Sequence, residues 1–191
     1  MTLLVVGVSH KSASVDVLSQ LAMDAAASLK LVDQLLTSEH IDEAVILSTC
    51  NRTEIYTSVA RFHGAVDDIT DALAEFAGLA APDLRRSCSV YFDEGAVAHT
   101  FAVASGLDSL VLGENQILGQ VRAALTLCQT HGTVGTVLNS LFQQALGSAS
   151  GCRPRPGSVR RAAPWSVRRT PCSPPSADHS TGGGCSSWGP G

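Results

Sequence analysis

Cys50 sits in very polar company, within Ser48-Thr49-Cys50-Asn51-Arg52-Thr53-Glu54-Ile55-Tyr56, directly after the apolar run Ala44-Val45-Ile46-Leu47. The thiolate is the nucleophilic form of cysteine, and cationic or hydrogen-bond-donating neighbours favour it. Thr49, Asn51 and Thr53 are donors of that kind, and Arg52 adds a permanent positive charge. On local chemistry alone two readings stand. Cys50 is either a nucleophile displayed on a short loop between rigid strands, or an inert thiol, the commoner state of a single intracellular cysteine. For a partner base the candidates are His10, His40, His63, His99 and His131, and their spacing does not choose among them. His99 falls in mid-helix, off the stripe of Val97 and Phe101, where it can face a cleft as readily as solvent.

A second constellation is SGLDSLVLGENQILGQVR, Ser105 to Arg122. Gly106 and Gly113 punctuate it, and Ser109, Glu114, Gln116 and Gln120 interrupt an otherwise apolar run. It reads either as a helix–loop–helix corner with solvated polar positions or as a polar pocket for an amino acid or sugar hydroxyls. In the pocket reading the Glu114 carboxylate pairs with a substrate ammonium group. Metal chemistry is not expected: Cys152, Cys172 and Cys185 show no CxxC and no ligand-like pairing with His179.

The elements that must position these residues follow from periodicity. Leu3–Val8 is a short apolar strand ended by Gly7 and Ser9. Leu29, Val32 and Leu36 predict an amphipathic helix from Asp24 to about Thr37. Glu43–Leu47 is a second apolar strand. In Thr53–Val59, Ile55, Thr57 and Val59 alternate with Glu54, Tyr56 and Ser58, the pattern of a half-buried strand. Val66, Ile69, Leu73 and Phe76 mark another helix, stopped by Gly78, and Ser89–Phe92 is a fourth strand. The order strand-helix-strand-strand-helix-strand predicts an α+β fold, a ferredoxin-like split βαβ sandwich over residues 1–93.

Residues 94–146 then read as a helical part. Asp93 is the expected N-cap of a helix carrying Val97, Phe101 and Ala104. Ile117, Val121, Leu125 and Cys128 line the next, which makes Cys128 a core thiol, and Val137, Leu138, Leu141, Phe142 and Ala145 begin a third. At Gly147-Ser148-Ala149-Ser150-Gly151 the periodicity ends, and 147–191 is expected to be disordered.

Composition supports that division. The chain has 191 residues, 45% of them hydrophobic, and a formal net charge of −4. Residues 1–146 hold 7 of the 13 Lys and Arg and 16 of the 17 Asp and Glu, a balance of −9 that argues against strong nonspecific RNA binding. The last 45 residues carry +5, with 7 of the 8 prolines and both tryptophans. They read as a flexible basic tail or as an out-of-frame translation of GC-rich DNA. The N-terminus has no basic region before its short apolar run, and no run is long enough to span a bilayer, so the expected compartment is the cytoplasm.

Three segments together, GVSHKSAS, STCNRTEIY and HTFAVASGLDSLVLGENQILGQVR, resemble the glutamyl-tRNA reductase family in order and spacing, over roughly residues 3–146. The resemblance implies reduction of the activated glutamate carboxyl on its tRNA to glutamate-1-semialdehyde, toward 5-aminolevulinate and tetrapyrroles. It implies Cys50 as the nucleophile that forms a glutamyl thioester and His99 as a residue important for activity. It also implies Thr49, Asn51, Arg52, Ser109, Glu114, Asn115, Gln116 and Gln120 as substrate-recognition positions. An arginine there is suited to a bidentate carboxylate contact. The implied cofactor is NADPH, with no metal. The implied partners are glutamyl-tRNA, glutamate-1-semialdehyde aminomutase and a second copy in a homodimer, with no membrane.

The sequence also departs from that family. The pattern is lost near Gly147, and no strand–GxGxxG–helix unit for a dinucleotide follows. Ser14 and Asn115 stand where the family commonly has proline. The expected activity is therefore acyl transfer without reduction. Alternatives are a weak glutamyl-tRNA esterase, an inactive tRNA- or partner-binding module, and a Cys–His hydrolase on an unrelated small fold.

Overall fold

The structure is a computed structural model that describes residues 2–109 and 115–151. Its elements are β1 (Thr2–Ser9), α1 (Val15–Gln20), α2 (Ala25–Leu35), β2 (Ile41–Thr49), β3 (Arg52–Val59), α3 (Phe62–Ala77), α4 (Ala81–Ser87), β4 (Ser89–Phe92), α5 (Glu94–Ala104), α6 (Asn115–His131) and α7 (Thr136–Gly151). The four strands form one sheet in the order β2-β3-β1-β4, every neighbouring pair antiparallel. This is the expected split βαβ arrangement: β3 lies between β1 and β2, and β1 between β3 and β4.

The strands follow from their apolar runs. Leu4, Val5, Val6 and Val8 are all buried, so β1 is covered on both faces, and it continues through Gly7 to Ser9 instead of ending there. Gly7 pairs with Glu54 of the neighbouring β3, and the two strands approach too closely there to admit a side chain. A Cβ at that position would lie 2.5 Å from the Thr53 carbonyl oxygen and 2.7 Å from Glu54 Cγ. The half-buried reading of β3 is corrected by the structure. All eight of its residues are buried, Glu54, Tyr56 and Ser58 included. Side chains alternate across a strand, so this polar face needs its own cover. His99 from α5 and Phe142 from α7 meet it, while α2 and α3 pack against the sheet as the expected sandwich helices.

The two long sandwich helices are where periodicity puts them. Asp24 caps α2 through a hydrogen bond from the Ala27 N–H, and α3 ends at the left-handed Gly78. Phe76, expected inside, is 37% exposed. Two short helices, α1 and α4, are additions that periodicity missed, each with a single buried leucine and so no repeat to detect. Ser14, the residue in place of the family's common proline, accepts the Val17 N–H as the N-cap of α1.

The helical part closes the second face. Asp93 does occupy the N-cap position of α5, but its φ of 45° turns the backbone so that its side chain caps nothing. The face of α5 is also rotated from the expected one: Ala96, His99, Thr100, Val103 and Ala104 are buried, while Val97 and Phe101 are partly exposed. α6 runs along the edge strand β2 and buries Ile117, Val121, Leu125 and Cys128 as expected. Burial raises the Cys128 thiol pKa, as befits a core cysteine. The edge itself is occupied where Ala44 donates its N–H to the Thr133 carbonyl. Glu43 reaches from β2 to accept the Val137 and Leu138 N–H groups at 3.1 and 2.8 Å, capping the N-terminus of α7. Gly135 leaves room for that carboxylate, since a Cβ there would come within 2.4 Å of Glu43 Oε1.

α7 continues to Gly151, past the loss of apolar periodicity at Gly147. Extending an established helix needs no buried stripe, because propagation is far easier than nucleation. The expectation of a disordered tail otherwise falls on residues 152–191, outside the described residues, as does the expectation for Glu114. No helix among the described residues is long and apolar enough to cross a membrane.

Candidate active site

Strands β2 and β3 form a tight hairpin whose last pair is Thr49 with Arg52, leaving Cys50 and Asn51 as a two-residue turn. Neither turn residue has a positive φ, so the turn is not of the type that demands glycine or asparagine. Thr49 holds it instead: its hydroxyl oxygen accepts the N–H groups of Asn51 and Arg52, both at 3.2 Å. The loop after β1 braces the other side, with the His10 N–H donating to the Asn51 carbonyl at 2.9 Å. Cys50 is exposed at the tip, whereas Cys88 and Cys128 are buried.

A small cleft opens beside the thiol. Thr49, Cys50, Asn51 and Arg52 form its hairpin wall, and Ser109, Gln116, Ile117 and Gln120 form the other. The structure thus brings together seven of the ten residues selected from sequence, drawn from stretches more than fifty positions apart. Asn115 begins α6 beside them. His99 is the exception, because it is not among the residues around Cys50.

His99 lies instead in a buried polar network beneath the cleft. Its Nε2 donates to Glu54 Oε1 at 3.0 Å, and its ring stacks on Tyr91 with centroids 4.0 Å apart. Arg52 Nη1 donates to the same Glu54 oxygen at 3.1 Å, and the Tyr56 hydroxyl donates to Oε2 at 2.5 Å. Arg52 Nη2 reaches the Asp108 carbonyl at 2.6 Å and its carboxylate at 3.0 Å. Lys11 pairs with the other oxygen of Asp108. Arg52 is only 2% exposed, so these contacts supply what water would otherwise give it.

The network sets its own charge states. Burial opposes the charge on Arg52, but Glu54 and then Asp108 outweigh it and raise the guanidinium pKa. Burial likewise opposes the Glu54 carboxylate, yet the hydrogen bond from His99, followed by Arg52 and Tyr56, holds its pKa below the ordinary value. Asp108 is lowered in the same way, with burial overcome by Lys11 and Arg52. Burial and the Glu54 charge push Tyr56 well above the ordinary phenol range, so it keeps its proton. The result is a neutral phenol and two ionised carboxylates bracketing one buried guanidinium.

Lys11, Glu54, Tyr56 and Asp108 are the residues that sequence reading left out. A signal existed for two of them. Arg52, Glu54 and Tyr56 alternate along one face of a strand, an arrangement of three ionisable side chains that solvent exposure explained too easily. Lys11 and Asp108 lie 97 positions apart and carry no local mark. Of the other candidate bases, His10 lies against the Cys50 turn through its backbone N–H, with its ring Nδ1 buried and without a hydrogen-bond partner among the described residues, and the remaining three lie elsewhere. His40 and His63 flank the far end of the hairpin, with His40 bonded to Asp68 at 2.8 Å, and His131 pairs with Asp33 at the end of α6. Among the described residues, no group of three or more His, Cys, Asp and Glu is placed to hold a metal ion.

Comparison with known proteins shows the family of the chain. Residues 6–154 match the family model described as glutamyl-tRNAGlu reductase, N-terminal domain. The chain is 49% identical over 164 residues to glutamyl-tRNA reductase 1 of Nocardioides sp. (strain ATCC BAA-499 / JS614), a match covering 86% of this chain and 38% of that protein. Its fold is similar to the solved glutamyl-tRNA reductase from Methanopyrus kandleri, with a TM-score of 0.62 and 30% identity over 78% of this chain and 33% of that one. The chain therefore spans well under half the length of these relatives. By its sequence motifs, its hairpin-borne cysteine and these matches, the chain belongs to the glutamyl-tRNA reductase family and carries the family's N-terminal domain.

Proposed function

We propose that this chain performs the acyl-transfer half of glutamyl-tRNA reduction, with Cys50 as nucleophile. The observation that carries the reading is the exposed thiol at the tip of a rigid hairpin, facing a polar wall of Ser109, Gln116 and Gln120. The Cys50 thiolate attacks the carbonyl carbon of the glutamyl ester, the bond from that carbon to the tRNA ribose oxygen breaks, and the ribose oxygen takes a proton. Glutamate is left as a thioester. Splitting carboxyl reduction into acyl transfer and a later hydride transfer replaces one hard step by two easier ones.

The cleft residues serve that step by holding the glutamyl group. Asn51, Ser109, Gln116 and Gln120 present donors and acceptors around the thiol, and Thr49 fixes the turn that aims it. Both terminal nitrogens of Arg52 are already engaged by Glu54 and Asp108. Arg52 therefore acts as a fixed positive wall of the cleft, in place of the two-pronged carboxylate clamp its side-chain type suggested. Glu114 and Asn115 belong to the same proposed recognition set on resemblance alone.

Reduction of the thioester to glutamate-1-semialdehyde takes a hydride donor, NADPH by the resemblance. Among the described residues no strand–GxGxxG–helix unit occurs to hold a dinucleotide. The aminomutase partner, the homodimer and a cytoplasmic place in tetrapyrrole synthesis belong to this proposal and rest on the resemblance. Because Cys50 is exposed, water reaches the thioester, and slow hydrolysis would make the isolated chain a weak glutamyl-tRNA esterase. Incubation with glutamyl-tRNA should add one glutamyl mass to the Cys50 peptide, and Cys50→Ser should abolish the adduct. An adduct that persists in Cys50→Ser refutes the assignment.

A further inference from the structure

We infer that His99 is a positioning residue for Arg52, acting through Glu54, and is not the proton acceptor for Cys50. This deepens the acyl-transfer reading and rests on it for the functional consequence. Three observations carry it. Among the described residues, eight line the cleft around Cys50, and His99 is not one of them. Its Nε2 is taken by Glu54 Oε1, the same oxygen that accepts from Arg52 Nη1. Glu54 also lies two residues further along β3 than Arg52, away from the turn, which is about 7 Å at the rise of a strand. The Arg52–Glu54 pair thus stands between the imidazole and the thiol.

The groups facing His99 fit a hydrogen-bond donor in a fixed place. Glu54, Arg52 and Tyr56 approach from β3, Tyr91 stacks on the ring from β4, and Asp108, itself paired with Lys11, acts on it from the corner after α5. With Nε2–H committed to Glu54 and the ring plane set by Tyr91, His99 fixes the orientation of the carboxylate. That carboxylate fixes the guanidinium, and the guanidinium forms part of the wall beside Cys50. Removing the imidazole frees one side of Glu54 Oε1 and opens a void beside Tyr91, so Arg52 loses its fixed aim.

The test separates a donor from a base. His99→Gln keeps an N–H for Glu54 but takes up no proton near neutral pH, whereas His99→Ala supplies neither. Acylation of Cys50 from glutamyl-tRNA should stay within about threefold of wild type in His99→Gln and fall at least about tenfold in His99→Ala. Rescue by glutamine would mark a positioning role, and His99→Gln as slow as His99→Ala would overturn it. A second arm uses no tRNA: the pH profile of Cys50 alkylation by iodoacetamide, followed on the Cys50 peptide mass. Its midpoint should coincide in wild type and His99→Gln. In the wild-type chain it should also be independent of the His99 ring titration followed by NMR, so a shifted midpoint or a shared inflection overturns the inference without reference to any variant's folding. A wild-type chain that forms no glutamyl adduct refutes the acyl-transfer reading, while the alkylation arm still decides the role of His99.

Discussion

Cys50 and Glu54 stand on the same hairpin, four positions apart, and could hardly be held more differently. The thiol is exposed on a turn fixed by backbone-directed hydrogen bonds. The carboxylate is 4% exposed and accepts from three side chains on two elements. A nucleophile has to meet its substrate, so its immediate surroundings are open and weakly tied. The rigidity that aims it comes from the buried end of the same strand, where low local dielectric makes each hydrogen bond matter more. On the proposed reading one hairpin divides the labour: its tip carries the chemistry and its stem carries the structure.

That division predicts opposite consequences for substitutions at the two ends. The largest stability effect should come from Glu54→Ala, which leaves the buried Arg52 guanidinium with Asp108 as its one remaining carboxylate partner and should cost about 3 kcal/mol, the low end for a broken buried pair. By contrast, Cys50→Ser, which on the proposed reading abolishes acylation, should change stability by no more than about 0.5 kcal/mol, as expected for an exposed site. Urea unfolding of both variants checks the contrast, and equal losses would break it.

Gly7→Ala comes next. Its Cβ would meet the backbone of β3 and the Glu54 side chain, an overpacking expected to cost about 1–3 kcal/mol. Two of the three nearest atoms, Cα and Cγ, belong to Glu54, so this variant should also lower Cys50 acylation although Gly7 does not line the cleft. A full acylation rate in a destabilised Gly7→Ala would uncouple stem from tip.

The smallest effect is the pH dependence. Glu54 and Asp108 have lowered pKa values in the fold. Each therefore contributes stability that is complete above the unfolded carboxylate range, near pH 4, and is lost as pH falls through the lower folded value. Melting temperature should decline below about pH 4, and Glu54→Gln should flatten part of that decline. Tyr56 has the opposite sign: with its pKa raised, stability should decline only above about pH 10, where the unfolded phenol ionises. An acid limb identical in wild type and Glu54→Gln would mean that Glu54 does not hold its charge as the network requires.

Much of this was legible residue by residue. The hairpin with Cys50 at its tip follows from two apolar strands separated by a short polar connection. The second wall of the cleft was visible as polar residues interrupting an apolar run from Ser109 to Gln120. The exposed-looking face of β3 misled, because alternation reports which residues share a face but not whether a second layer covers it.

By itself, then, the sequence determined the four strands, the longer helices and the residue types at their tips: strand and helix periods, the turn and the cysteine it carries are all local properties. Only the tertiary structure decided the inside of α5. Ala96, Val97, Phe101 and Val103 make that helix apolar all round, so no stripe marks a buried face, and the cover needed by Glu54 and Tyr56 turns His99 inward. His99 and Glu54 are 45 positions apart. A hydrogen bond across that separation exists because packing brings two buried polar groups together and neither has water to turn to.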